Sequence, residues 1–122
     1  MTGSKDLAAV AARAASEKQA TDILVLDVRE PIVITDYFVI VSGRSDRQVK
    51  TIAESIEEAL RGEGEKPLRR EGKREGRWIL LDYLDFVVHV FLEEEREFYG
   101  LERLWADAPS IDWSHAAASS GG

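Results

Sequence analysis

Residues 78–105, WILLDYLDFVVHVFLEEEREFYGLERLW, constrain the fold more than any other stretch. Two runs of strand character, Trp78–Leu81 and Phe86–Leu92, are joined by Asp82-Tyr83-Leu84-Asp85. Glu93-Glu94-Glu95 then opens a helix, where the macrodipole favours negative charge, and the helix is predicted to run to about Trp105. Alternate side chains of a strand face opposite sides of the sheet. Trp78 and Leu80 alternate with Ile79 and Leu81, and Phe86, Val88 and Val90 alternate with Val87, His89 and Phe91, so these strands are apolar on both sides. Each side must be covered, by the chain's own helices or by a partner.

The upstream residues supply further elements. Ser4 is placed to cap a helix whose apolar stripe is Leu7, Val10, Ala11 and Ala14. Ile23–Val28 and Tyr37–Val41 are short runs rich in β-branched and large apolar residues, bounded by Glu30-Pro31 and Ser42-Gly43, and read as strands. Ser45 with Gln48 forms a capping box for the clearest helix, with Val49, Ile52, Ala53, Ile56, Ala59 and Leu60 on one side and Gly62 and Gly64 as its stop. Pro67–Glu71 reads as an edge strand and Gly72–Gly76 as its turn. In the last helix Phe98, Leu101, Leu104 and Trp105 are expected to face inward, with Gly100 permitting a close approach at a cost of about 1 kcal/mol in helix propensity.

The order α-β-β-α-β-β-β-α predicts an α/β fold, a single domain with a mixed five-stranded sheet and about three helices. The domain is expected over residues 1–108, with 109–122 a largely disordered C-terminal tail into which only Ile111 and Trp113 can fold back. Five strands make a sheet about 20–24 Å wide, and a helix with its side chains is about 10–12 Å across, so covering both faces takes about four helices. Three are expected, so part of the sheet is left open. An open apolar patch of this kind marks a protein–protein interface, and Trp78 is its natural anchor.

Charge and motifs narrow the function classes. The net charge of −7 opposes non-specific attraction to phosphate backbones and suits a basic partner. The one basic segment, Lys66–Arg77, carries Lys66, Arg69, Arg70, Lys73, Arg74 and Arg77 among three glutamates. It reads first as a solvated hairpin, with contact to phosphate or to an acidic surface, at the margin of an RNA-containing surface, as the functional alternative. No apolar run approaches the roughly 18–20 residues of a membrane span, and no leader of the secretory kind opens the sequence, so a cytoplasmic protein without membrane contact is expected. The chain lacks cysteine, and no phosphate loop, nucleophile elbow or HExxH is present. His89, among valines, reads as a core or interface histidine rather than a ligand, and His115 has no second ligand nearby. Asp22, Asp27, Asp36, Asp82 and Asp85 fall at strand ends and turns, where aspartate has local work to do. No catalytic residue, cofactor or metal is expected.

Four blocks, DILVLDV (Asp22–Val28), TDYFVIVSGRSDRQV (Thr35–Val49), WILLDYLDFVVHVF (Trp78–Phe91) and REFYGLERLW (Arg96–Trp105), resemble the ribosomal silencing factor family, also called the Iojap family, over about residues 4–108. The resemblance implies a fold akin to the nucleotidyltransferase superfamily without its activity. It further implies binding to the large ribosomal subunit through ribosomal protein uL14, a steric block to joining of the small subunit, and repression of translation when nutrients are scarce. Trp78, Leu80, Leu81, Asp82, Tyr83, His89, Arg96, Tyr99 and Glu102 are the partner-binding residues so expected. A homodimer that hides the same sheet in the free protein is also permitted. The enzymatic alternative, a nucleotide-binding nucleotidyltransferase, lacks its motif, because Gly43 is followed by Arg44 and no Asp-x-Asp lies downstream. Leu84 departs from the family pattern, which commonly has glycine in that turn, and the shape of the turn is the feature this departure puts in question.

Overall fold

Tyr37–Gly43 (β2) and Phe86–Leu92 (β5) are the two most continuously apolar strands, and they pair in parallel at the centre of the sheet, with Val39 opposite Val88 and Ile40 opposite His89. A strand apolar on both sides is stable only where both sides are covered, which is why these two take the middle. Thr21–Asp27 (β1) adds antiparallel to β2, Trp78–Asp82 (β4) adds antiparallel to β5, and the three-residue Arg69–Glu71 (β3) forms the far edge. The order is β1-β2-β5-β4-β3. These relations come from a computed structural model, which describes residues 3–30 and 34–114.

Ser4–Glu17 (α1) and Asp46–Gly62 (α2) pack together on one side of the sheet. The alanine stripe of α1 is fully buried at Ala8, Ala11, Ala12 and Ala15, so the small side chains serve close approach to α2 and the sheet. The α1 cap differs from expectation: Gly3 is the N-cap, and Ser4 Oγ donates to Asp36 Oδ2 at 3.2 Å instead. At α2, Ser45 Oγ accepts from the Gln48 amide at 3.1 Å as expected. Gln48 Oε1 reaches one residue beyond the cap, to the Arg44 amide at 2.7 Å, while its Nε2 donates to the Lys18 and Gln19 carbonyls. One side chain thus joins the α2 entrance to the α1–β1 turn. The chain crosses over after β2 through α2 and returns in parallel as β5, while the short β3 pairs antiparallel with β4.

The hairpin of β3 and β4 is held at its turn by Gly72, whose φ is 81 and where a Cβ would fall 1.9 Å from the Trp78 carbonyl oxygen. The last helix is broken. Glu93–Tyr99 (α3) ends at Gly100, which adopts the left-handed conformation at φ 57, and Leu101–Leu104 (α4) resumes in a new direction. Gly100 therefore terminates a helix rather than sitting inside one, and a side chain there would also strike the Arg103 guanidinium. The break corrects the predicted inward stripe: Leu101 and Trp105 pack on the sheet, whereas Phe98 is 80% and Leu104 71% exposed.

Beyond α4 the chain returns to the β1 edge. The Asp27 amide donates to the Pro109 carbonyl at 2.8 Å and the Ile111 amide to the Val25 carbonyl at 2.8 Å. Ile111 and Trp113 pack against the helix-side core, so residues 109–113 of the expected tail are part of the fold. The stretch Ala116–Gly122, expected to be disordered, and His115 lie outside the described residues.

Candidate functional site

The sheet has one side closed by α1 and α2 and another closed only in part. Alternation puts Phe38, Ile40, Leu24, Leu26, Trp78, Leu80, Asp82, Val87, His89 and Phe91 on this second side. Leu101, Trp105 and Ala108 cover the portion over β1 and β2. Over β4 and the outer half of β5 no helix lies, and Trp78, Leu80, Asp82 and Val87 stay partly exposed. The helix shortfall in the sequence thus appears at the edge opposite β1.

An aromatic chain crosses this face. Phe98 meets Tyr99 edge-on at 5.0 Å between ring centroids, Tyr99 lies 5.0 Å from Trp78, and Trp78 stacks on Phe91 at 4.7 Å. Phe38 contacts both His89 (5.1 Å) and Trp105 (5.9 Å) edge-to-face. Such pairs hold large rings in fixed orientations with little rotamer freedom to lose, which suits a recognition surface. The Trp78 indole N–H donates to His89 Nδ1 at 3.1 Å. That bond places the histidine proton on Nε2, which is buried and has no partner. Burial pushes the His89 pKa down to about 4, so the ring is neutral near pH 7 and cannot repel a cationic partner.

Arg96 anchors α3 to the sheet. It is 8% exposed, its Nη1 donates to the Asp22 carbonyl and to Ser42 Oγ (2.7 Å), and its Nε donates to Glu102 Oε2 at 3.1 Å. Tyr99 and Phe98 ride on the helix so fixed. Around the face Glu71 and Asp82 share Arg69, Glu102 is held by Arg96, and Asp85 is exposed in the adjoining turn.

Of the nine residues expected to bind a partner, Trp78, Leu80, Asp82, Tyr99 and Glu102 are at least partly exposed on this face or its rim. His89 and Arg96 lie beneath, holding Trp78 and α3. Leu81 and Tyr83 point the other way, into the core under α1 and α2, where they are 0% and 6% exposed and present no surface. Val87, Phe98 and Leu104 add apolar surface that sequence spacing placed elsewhere or overlooked, and the signal for the last two was Gly100.

The basic segment is largely engaged within the chain. Arg70 Nε and Lys73 Nζ bind the two carboxylate oxygens of Glu57 on α2, Arg77 binds Glu95, and Arg69 lies 3.2 Å from Glu71 and 3.6 Å from Asp82. The aspartates likewise have local roles. Asp27 forms a two-pronged pair with Arg29, whose hydrogen bond holds its carboxyl below the usual range, and Asp82 Oδ1 accepts from the Leu84 amide. Among the described residues no three His, Asp or Glu side chains converge as a metal-binding group, and no helix is long and apolar enough to cross a membrane.

Fold and face define an α/β protein with a mixed sheet and a half-covered aromatic surface. Residues 2–121 match the family model described as "Ribosomal silencing factor during starvation", and the chain belongs to that family. It is 44% identical over 108 residues to the ribosomal silencing factor RsfS of Bacillus subtilis, an alignment covering 88% of this chain and 92% of that one. It is 35% identical to the mouse protein "Mitochondrial assembly of ribosomal large subunit protein 1", over 73% of this chain and 40% of the mouse protein. A crystal structure of a Chromobacterium violaceum protein superposes with a TM-score of 0.84 at 31% identity, covering 86% of this chain and 88% of that one. Family membership gives the chain a role in ribosome silencing, which is regulatory rather than enzymatic.

Proposed function

We propose that the chain binds the large ribosomal subunit through ribosomal protein uL14 and, seated there, sterically blocks joining of the small subunit, lowering translation in the cytoplasm under starvation. The observation that carries this reading is the half-covered aromatic face centred on Trp78. A ring system held rigid by His89 and Phe91 and left open to water is the kind of anchor on which interface energy concentrates. The net charge of −7 favours a basic ribosomal protein over bare RNA. The family's description names starvation, and the mouse relative's name places that protein in assembly of the ribosomal large subunit.

The test is co-sedimentation with separated large and small subunits, followed by joining on a sucrose gradient. The protein is expected to travel with the large subunit alone and to reduce the joined peak. An unchanged gradient at saturating protein would sink the proposal. Trp78→Ala, checked for folding by circular dichroism, is expected to weaken large-subunit binding by more than about 1 kcal/mol.

A further inference from the structure

The turn between β4 and β5 carries leucine where the backbone favours glycine. Leu84 has φ 73, in the left-handed region that a Cβ makes costly. The turn holds that shape through bonds from the Leu84 amide to Asp82 Oδ1 (2.9 Å), from the Asp85 amide to the Tyr83 carbonyl (2.9 Å) and from the Tyr83 amide to the Phe86 carbonyl (3.0 Å). The turn therefore holds a leucine in a conformation that strains it.

The tight β4–β5 turn uses the positive φ itself, but the fold makes no use of a leucine there. Among the described residues two other non-glycine positions have positive φ, Gln19 and Asp22, and both carbonyls are employed: Gln19 accepts from Gln48 Nε2 and Asp22 from Arg96 Nη1. The Leu84 side chain is 57% exposed and belongs to neither core. An outlier of this kind points outward, to a function met in the bound state.

Leu84 lies at the end of the strand pair that bears Leu80, Asp82 and Val87 on the open face. Two carboxylates flank Leu84: Asp82, whose Oδ1 accepts from the Leu84 amide, and the exposed Asp85. Arg69, 3.6 Å from Asp82, offsets the first in part. An apolar tip between two carboxylates disfavours nucleic-acid phosphate and matches an apolar recess bordered by lysine or arginine.

We propose that Leu84 is a contact residue of the ribosome-binding surface, inserting into an apolar, lysine- or arginine-bordered recess on a protein of the large subunit. This rests on the reading given under Proposed function. It extends the surface from Trp78 across the open face to the β4–β5 turn, and it makes that turn a determinant of affinity.

Leu84→Gly and Leu84→Asn test it, because both residues accept positive φ and remove the apolar tip. Melting temperature and co-sedimentation with purified large subunits are measured for the wild type and both variants. The expected result is an unchanged or raised melting temperature together with affinity about tenfold weaker, or about 1.4 kcal/mol, in both variants. Wild-type affinity in the variants overturns the role of Leu84 while leaving the large-subunit reading intact. A lowered melting temperature in both makes Leu84 a structural residue and also overturns it. Failure of the wild type itself to sediment with large subunits overturns both readings together.

Discussion

On the helix side of the sheet Val39, Val41, Ile79, Leu81, Val88 and Val90 are fully buried, whereas on the other side Trp78, Leu80 and Val87, from the same strands, keep contact with water. The helix side is aliphatic at its centre, and its side chains interlock with Ile52, Ile56 and Leu60 of α2. The other side is aromatic, and it leaves His89 Nε2 and Trp105 Nε1 buried without partners, against Tyr83 Oη on the helix side. Close-packed aliphatics give stability because each methylene fills its own space. Large rings with unsatisfied polar edges give less stability per residue and more ways to meet another surface. One sheet thus divides stability and recognition between its two sides.

The division breaks most readily at Phe86, which is 1% exposed and stacks on Tyr83 at 4.8 Å beneath the helices. Phe86→Ala is expected to cost about 3–5 kcal/mol in urea unfolding, with large-subunit affinity per folded molecule unchanged. A loss below about 1 kcal/mol would mean that the helix side is not where stability resides.

The next largest effect belongs to the aromatic side. The His89 value in the fold, about 4, lies below its ordinary 6.5, so the unfolded chain binds the extra proton more readily. Its contribution is complete above pH 6.5 and is lost as pH falls toward 4, in total about 3 kcal/mol. Unfolding free energy of the wild type should therefore decline across this window, and His89→Phe should remove that slope. A variant that retains the full slope would place the titrating group elsewhere.

How much of this was readable beforehand follows from what each feature depends on. Strand alternation at 78–91 and the helix over Ser45–Gly62 are local patterns, and they predicted both apolar sides and the shortage of cover. Which side stays open is a question of parity and register. Leu80 and Leu81 are neighbours of the same type, and only the pairing of Leu80 with His89 and Leu81 with Val88 separates surface from core. Tyr83 was expected at the interface from the family resemblance alone, yet it packs into the helix-side core. The break at Gly100 was misread because a propensity cost does not distinguish a tolerated glycine from a left-handed cap. Arg70, Lys73 and Arg77 could be assigned only once α2 brought Glu57, and α3 brought Glu95, beside them.

Arg96 sharpens the comparison at an intermediate magnitude, since it joins the two sides' edges without lying in either core. Arg96→Ala leaves the Glu102 carboxylate, Ser42 Oγ and the Asp22 carbonyl without their shared donor. A cost of about 2–3 kcal/mol is expected, below that of a fully dry pair because Glu102 keeps access to water. Because α3 carries Tyr99 and Phe98, large-subunit affinity should fall as well. A stability loss with unaltered affinity would detach α3 from the recognition surface.

The smallest effect is the helix side's own buried charge. Glu57 is 5% exposed; burial alone would raise its carboxyl pKa, but hydrogen bonds from Lys73 and Arg70 outweigh that and hold it below 4.5. A depressed carboxylate stabilises the fold above its ordinary value and loses that contribution as pH falls through the folded one. The cations are half exposed and solvent screens them, so Glu57→Gln should cost only about 1 kcal/mol at pH 7. The two sides then separate by pH: between 6.5 and 5 the decline belongs to His89, and below 4.5 Glu57 joins it, together with Asp27, which Arg29 holds low. Glu57→Gln should leave the upper slope intact and shallow the lower one. A change in the upper slope instead would show that the charges on the two sides communicate through the sheet.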